Sequence, residues 1–188
     1  MKTQIEIKQF IVGNLNNRCY LIIKNNKAVL IDAGECFNLV LSFVDERKIK
    51  LCGVILTHGH FDHACTAKKF QELNIPIYIH KNDADKLYTD NNLGRQFDCE
   101  FENLHADYLI EEGSLKIDDF DFYILHTPGH SKGGISIVIE NHIFVGDTIF
   151  ENGYGRVDLY DGDFSELKES IRKLKKYKNE KYLFYYGH

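Results

Sequence analysis

The sequence predicts an α/β sandwich built on a mixed sheet, and three observations carry that expectation. Short runs rich in Ile, Val, Tyr and Phe, bounded by Gly, Asn and Asp, recur along the chain and read as strands. Between some of them the apolar spacing changes to the helical period, without the strict strand–helix rhythm of an all-parallel sheet. The chain has only two prolines and no low-complexity segment, so residues 1–188 read as one domain.

The elements follow in order. Residues 4–11 alternate polar and apolar side chains, as a strand with one wet face does; an export signal would instead open with a charged segment and an apolar run. Residues 19–23 and 28–31 are apolar runs suited to buried strands. Phe37, Val40, Leu41 and Val44 then fall at i, i+3, i+4 and i+7, the stripe of a helix. Strands are expected at 53–56 and 77–79, with a helix from about Asp62 to Leu73 between them. Further strands are expected at 120–125, 135–139, 142–145 and 182–186, with Glu140-Asn141 as a hairpin turn. A last helix is expected from about Phe164 to Tyr177. There Asp163 can cap, Glu166 lies three residues on, and Phe164, Leu167, Ile171 and Leu174 form one stripe.

Composition narrows the function classes. The net charge is −5 with no clustered basic face, which argues against a nucleic-acid partner. The basic stretch 172–181 reads as a solvated helix face. No window reaches the ~18 apolar residues of a membrane span. The five cysteines (Cys19, Cys36, Cys52, Cys65 and Cys99) are odd in number and lack CxxC spacing. They read as reduced thiols of a cytoplasmic protein. A small-molecule substrate is therefore expected, and nothing in the sequence sets the oligomeric state.

The chemistry-bearing feature is Thr57-His58-Gly59-His60-Phe61-Asp62-His63, placed directly after the apolar run Gly53-Val54-Ile55-Leu56. A strand end puts such residues on a loop above the sheet. Alternation aims His58 and His60 the same way, and neutral imidazole is the commonest protein ligand for zinc. Asp62 and His63, on the first turn of a helix, can serve a second ion. One cluster cannot close either shell, because each metal takes three or four protein donors. His130 after Thr127-Pro128-Gly129, Asp147 after Val145-Gly146, and His188 after Tyr186-Gly187 share the same grammar of apolar strand, Gly and donor. His80, His105, His126 and His142 read as structural or surface residues, with His80 and His126 able to support the site from behind.

These motifs resemble the metallo-β-lactamase superfamily. The pattern His-x-His-x-Asp-His is followed in order by Thr-Pro-Gly-His-Ser, Gly-Asp-Thr and a terminal Gly-His, and preceded by Ile31-Asp32-Ala33-Gly34. The segments Gly155-Arg156-Val157-Asp158-Leu159 and Gly162-Asp163 are similar to those of short glyoxalase II-like (hydroxyacylglutathione hydrolase-like) proteins. The resemblance implies an αββα four-layer sandwich, two mixed sheets flanked by helices. It implies two divalent ions, zinc by default with iron or manganese as alternatives. His58, His60 and His130 would hold the first, Asp62, His63 and His188 the second, and Asp147 would bridge them. Asp32 would orient a ligand from behind. The implied reaction is thioester hydrolysis by a hydroxide held between the metals, with Asp62 and Asp147 as the catalytic carboxylates.

The resemblance has departures. Arg18-Cys19-Tyr20 stands where the family often has Asn-Cys-Tyr. It also does not extend to the C-terminal helical domain that binds glutathione in full-length glyoxalase II. Alternatives stay open: a mononuclear non-haem iron persulfide dioxygenase using His58, His130 and Asp147, a nuclease, a β-lactamase, and a non-catalytic or electron-transfer metal scaffold.

Overall fold

The structure is a computed structural model and describes residues 4–188. The alternating run expected at 4–11 lies within this range. From there the chain forms β1 (Glu6–Val12), β2 (Asn17–Lys24), β3 (Lys27–Ile31), α1 (Phe37–Glu46), β4 (Lys50–Ile55), α2 (Phe61–Ala64), α3 (Ala67–Glu72) and β5 (Ile77–His80). Three short 3-10 turns at Lys81–Tyr88, Asp90–Asn92 and Gly94–Phe97 lead to β6 (Tyr108–Ile110), β7 (Gly113–Ile117) and β8 (Phe120–His126). The last elements are β9 (Ile135–Ile139), β10 (His142–Phe144), β11 (Ile149–Phe150), β12 (Gly153–Tyr154), α4 (Phe164–Asn179) and β13 (Leu183–Tyr185).

Two mixed sheets carry the architecture. One has the order β1-β2-β3-β4-β5-β6, antiparallel across its first three strands and parallel across the rest. The other has the order β13-β10-β9-β8-β7, antiparallel except where β13 runs parallel to β10. Period-two alternation assigns the faces. Tyr20, Ile22, Val29, Ile31 and Ile55 meet Phe120, Phe122, Ile124, Ile135 and Ile137 between the sheets. Cys19, Leu21, Leu30 and Val54 face the other way, onto Val40 and Val44 of α1 and Phe70 of α3. On the far side Leu125, Val138 and Ile143 pack against Leu174 of α4. This is the αββα four-layer order, with the central strands buried on both faces, which explains why β2, β3 and β9 read as unbroken apolar runs.

Three local outcomes refine the sequence reading. Asp163 caps α4 by accepting from the Glu166 N–H at 2.8 Å. The β9–β10 hairpin closes through Glu140, whose φ of +52° is the left-handed turn conformation. The helix expected from Asp62 to Leu73 is two pieces. The Thr66 N–H and hydroxyl both turn to the Ala33 carbonyl after β3, at 2.9 and 3.1 Å, and this tertiary attachment breaks the helix. β6, β7, the short β11–β12 pair and the 3-10 turns lie outside the elements expected from the sequence. β6 has only three residues, and Tyr108 and Leu109 stay exposed on the sheet edge, so no period marks it.

Candidate metal centre

Every donor expected from the sequence lies in a loop or first helical turn just beyond a strand, and the fold brings these loops together. β4 delivers Thr57, His58 and His60, and α2 carries Asp62 and His63. His130 follows β8, Asp147 follows β10 and His188 follows β13. Three overlapping donor groups result: His58, His60 and His130; His58, His63 and Asp147; and Asp62, His63 and His188. Within each, the ligand atoms lie within 4.8 Å of one another.

In the first group His60 Nδ1 lies 3.0 Å from His130 Nε2. The other nitrogen of His130, Nδ1, donates to the Arg156 carbonyl at 2.8 Å, which leaves Nε2 as the lone pair facing His60. Thr57 Oγ1 lies 3.1 Å from His58 Nδ1, so Nε2 of His58 is also turned inward. Burial, then the neighbouring imidazoles, hold His58 well below its ordinary value, and burial with His130 brings His60 to about 3. These rings are neutral at pH 7, the form that binds a metal.

The other two groups share His63 and together form the second side of the site, the second group from here on; in it His63 Nε2 lies 3.3 Å from Asp147 Oδ1 and 3.7 Å from Asp62 Oδ2. His188 Nε2 lies 3.2 Å from Asp62 Oδ2 and 3.4 Å from Asp147 Oδ2. Asp147 also reaches the first group, with Oδ2 3.6 Å from His130 Nε2. Burial opposes charge on His63, yet Asp147, Asp32 and Asp62 outweigh it and hold the imidazole well above its ordinary range. His188 is pushed up to about 10 by Asp147 and Asp62, again against burial. Burial likewise opposes ionisation of Asp147, but His63 and His188 hold its carboxyl well below the usual range. Without a metal, protons on His63 and His188 thus answer these carboxylates, and a bound cation would take the place of those protons.

The residues fit a metal on a further ground. His58 Nε2 is a buried atom with no hydrogen-bond partner, and Asp147 Oδ1, also buried, has only the His63 Nε2 contact at 3.3 Å and no well-formed hydrogen bond. Leaving such atoms unpaired costs about 1–3 kcal/mol each, which a bound cation at the convergence of the groups would remove. Asp32 supports the arrangement from below. Its carboxylate accepts from the Thr57 N–H at 2.7 Å, the Thr57 hydroxyl at 2.9 Å and His63 Nδ1 at 2.8 Å. The close packing needs Gly187, because a Cβ there would stand 2.1 Å from Asp147 Oδ1.

Both groups open into one cleft of about 500 Å³. His60, Asp62, His130, Asp147 and His188 form its floor, and Phe61, Leu93, Phe97, Phe150, Tyr154 and Leu159 its largely apolar walls. A purely structural metal site would be closed; this one faces a space that admits a small molecule.

The remaining histidines stay outside the donor groups. His80 and His126 stack with ring centroids 4.2 Å apart, His105 lies against Tyr88, and His142 Nδ1 meets the Tyr185 hydroxyl at 2.9 Å. All five cysteines are free thiols. Among the described residues no helix is long and apolar enough to cross a membrane. Sequence reasoning missed Asp83, Lys86 and Asp161, which support the floor of the cleft. The one local signal was the i, i+3 spacing of Asp83 and Lys86, which is common on exposed surfaces.

Comparison with known proteins agrees with this geometry. The family model described as the metallo-beta-lactamase superfamily matches residues 12–188. The probable metallo-hydrolase YqgX of Bacillus subtilis is 32% identical over 86% of this chain and 80% of its own length. The hydroxyacylglutathione hydrolase GloC of Haemophilus influenzae is likewise 32% identical over 86% of this chain and 80% of its own. Among solved structures, the BLEG-1 B3 metallo-beta-lactamase superposes with a TM-score of 0.90 at 29% identity, covering 97% of this chain and 91% of that one. With the match running through every donor loop, the chain belongs to the metallo-beta-lactamase superfamily of metal-dependent hydrolases.

Proposed function

We propose that this protein is a dinuclear thioester hydrolase of glyoxalase II-like type. The observation that carries the reading is the position of Asp147. Its two oxygens face donors of both groups, Oδ1 toward His63 and Oδ2 toward His130 and His188, so one carboxylate can set the spacing of two ions. In this reading His58, His60 and His130 hold one ion, and Asp62, His63 and His188 the other. The likeness to GloC supports an acyl-thioester substrate.

Two divalent ions, zinc by default, would supply Lewis acidity and lower the pKa of a shared water. The chain's own residues do the rest. Asp62, 14% exposed at its side chain, faces the cleft beside His188 and orients the attacking water. The Arg156 carbonyl locks the tautomer of His130, and Asp32 that of His63. The aromatic and leucine walls take the acyl group and exclude bulk water from the reacting carbonyl.

The test is metal analysis of the purified chain, followed by a hydrolysis screen. Its arms are S-lactoylglutathione, apolar acyl thioesters and a cephalosporin. Two equivalents of metal and thioester turnover that stops on chelation are expected. Chelator-resistant turnover would refute the reading. Oxygen uptake with a persulfide and one iron per chain would replace it with the dioxygenase. Cephalosporin turnover alone would replace it with a β-lactamase.

A further inference from the structure

Beneath the first donor group lies a buried ionic cluster that no step of the reaction uses. Asp83 is 0% exposed and Lys86 1%. Lys86 Nζ donates to Asp83 Oδ1 at 3.0 Å and to Asp161 Oδ2 at 2.5 Å. A carboxylate and an ammonium taken this far from water are expensive, and their attraction alone often fails to repay the cost. Such a cluster needs more partners, and these come from the loops that carry the donors.

Asp83 Oδ2 accepts from the N–H of Gly59 at 2.9 Å, the residue between His58 and His60. Asp83 Oδ1 accepts from the N–H of Gly133 at 2.6 Å, three residues beyond His130. Asp161 Oδ2 accepts from the N–H of Lys132 at 3.1 Å. Asp161 also lies on the loop whose Arg156 carbonyl orients His130. The two glycines are required by contact. A Cβ on Gly59 would stand 2.6 Å from Lys86 Cβ, and one on Gly133 would stand 2.5 Å from the Asp83 backbone nitrogen.

We infer that Asp83, Lys86 and Asp161 form a clasp that sets the spacing of the His58–His60 pair against His130, and so tunes the first donor group alone. The inference rests on the reading that this group holds a metal. One carboxylate grips both donor loops, one oxygen to each. Two carboxylates against one ammonium also leave a net negative charge, and Asp161 Oδ1 is buried without a partner. That surplus lies behind the first group and favours a cation there. These are positioning residues; none touches the cleft floor directly.

The test is a two-step titration of the full chain with Co²⁺, by visible absorption and by competition with a chelator. His130→Ala marks which step belongs to the first group. Asp83→Asn keeps the shape of the side chain but replaces one acceptor. It should weaken that step alone by about 10–100-fold, with a shifted spectrum, and leave the other step unchanged. Asp161→Asn sits on a loop and does not depend on refilling a sealed core. It should weaken the same step less, and it carries the test if Asp83→Asn does not fold. Unchanged affinities in the folded variants, or equal weakening of both steps, would overturn the clasp. A wild-type chain that takes up no Co²⁺ would instead overturn the metal reading beneath it.

Discussion

His63 Nδ1 lies 2.8 Å from Asp32 Oδ2, with both side chains almost fully buried. The carboxylate oxygen accepts, so Nδ1 donates to it, and Nε2, the nitrogen facing Asp147 and Asp62, is the one a metal would take in place of its proton. Asp32→Ala should therefore free the ring to turn and to change tautomer. Metal affinity at the second group should fall about 10–100-fold, measured by competition with a chromogenic chelator. Asp32→Asn should fall between the two, since an amide can still accept from Nδ1.

Gly187→Ala should be far more damaging than its size suggests. The added carbon would enter at 2.1 Å from Asp147 Oδ1 and 2.9 Å from His63 Cε1. Asp147 has to move, and a displacement on the order of 1 Å can cost about 100-fold in rate. The expected result is a folded protein by circular dichroism with kcat/KM reduced to that extent.

Removal of metal should lower thermal stability, because an ion bound only by the folded state stabilises by mass action. At 100 times Kd this amounts to about 2.7 kcal/mol per site. For a chain of this size it corresponds to a Tm shift of roughly 5–10 °C per site. Differential scanning with and without chelator checks it, and equal Tm values would count against tight binding.

The clasp predicts a pH dependence of stability. Burial raises the pKa of Asp83, but the Lys86 ammonium and the Gly59 N–H outweigh it and hold the carboxyl below its ordinary value of 3.8. Gly133 N–H and His60 also face it. A lowered folded-state pKa gives stability that is present above pH 3.8 and lost as pH falls through the folded value. The stability gap between wild type and Asp83→Asn, by urea denaturation, should be full at neutral pH and shrink in acid.

Phe70→Ala separates fold from site. Phe70 is 0% exposed, packs edge-on against Phe37 with ring centroids 4.9 Å apart, and lies in the core on the α1 and α3 side of the sheet. Its loss should cost about 3–5 kcal/mol by denaturant titration, while metal stoichiometry of the folded fraction stays unchanged.

How much of this was legible in the sequence differs by residue. His58, His60, Asp62 and His63 stood out because they are local, and strand alternation already fixes which way His58 and His60 face. His130, Asp147 and His188 stood out by the repeated order of strand, glycine and donor. The four-layer architecture was carried by the family resemblance, because buried strands such as β9 show no alternation to say how many sheets there are. Asp83, Lys86 and Asp161 could not be seen. Charged residues in a polar stretch read as surface, and only the folded chain shows Gly59 and Gly133 arriving at the same carboxylate. The break at Thr66 was hidden for the same reason: its partner, the Ala33 carbonyl, is remote in sequence.

The parallel pairing of β13 with β10 has a consequence for the order of events in the cell. Tyr185 pairs with Phe144, and the Gly187 N–H is bound to the Gly146 carbonyl at 3.0 Å. His188 therefore reaches Asp62 only when this strand has docked. Contacts that join such distant segments form late, because loop closure comes first. A ribosome-bound chain would present the His58–His63 loop long before the second ion could be held. In the dinuclear reading, loading of that ion would report the docking of β13, and a chain in which this strand is undocked would leave Asp62 and His63 without His188.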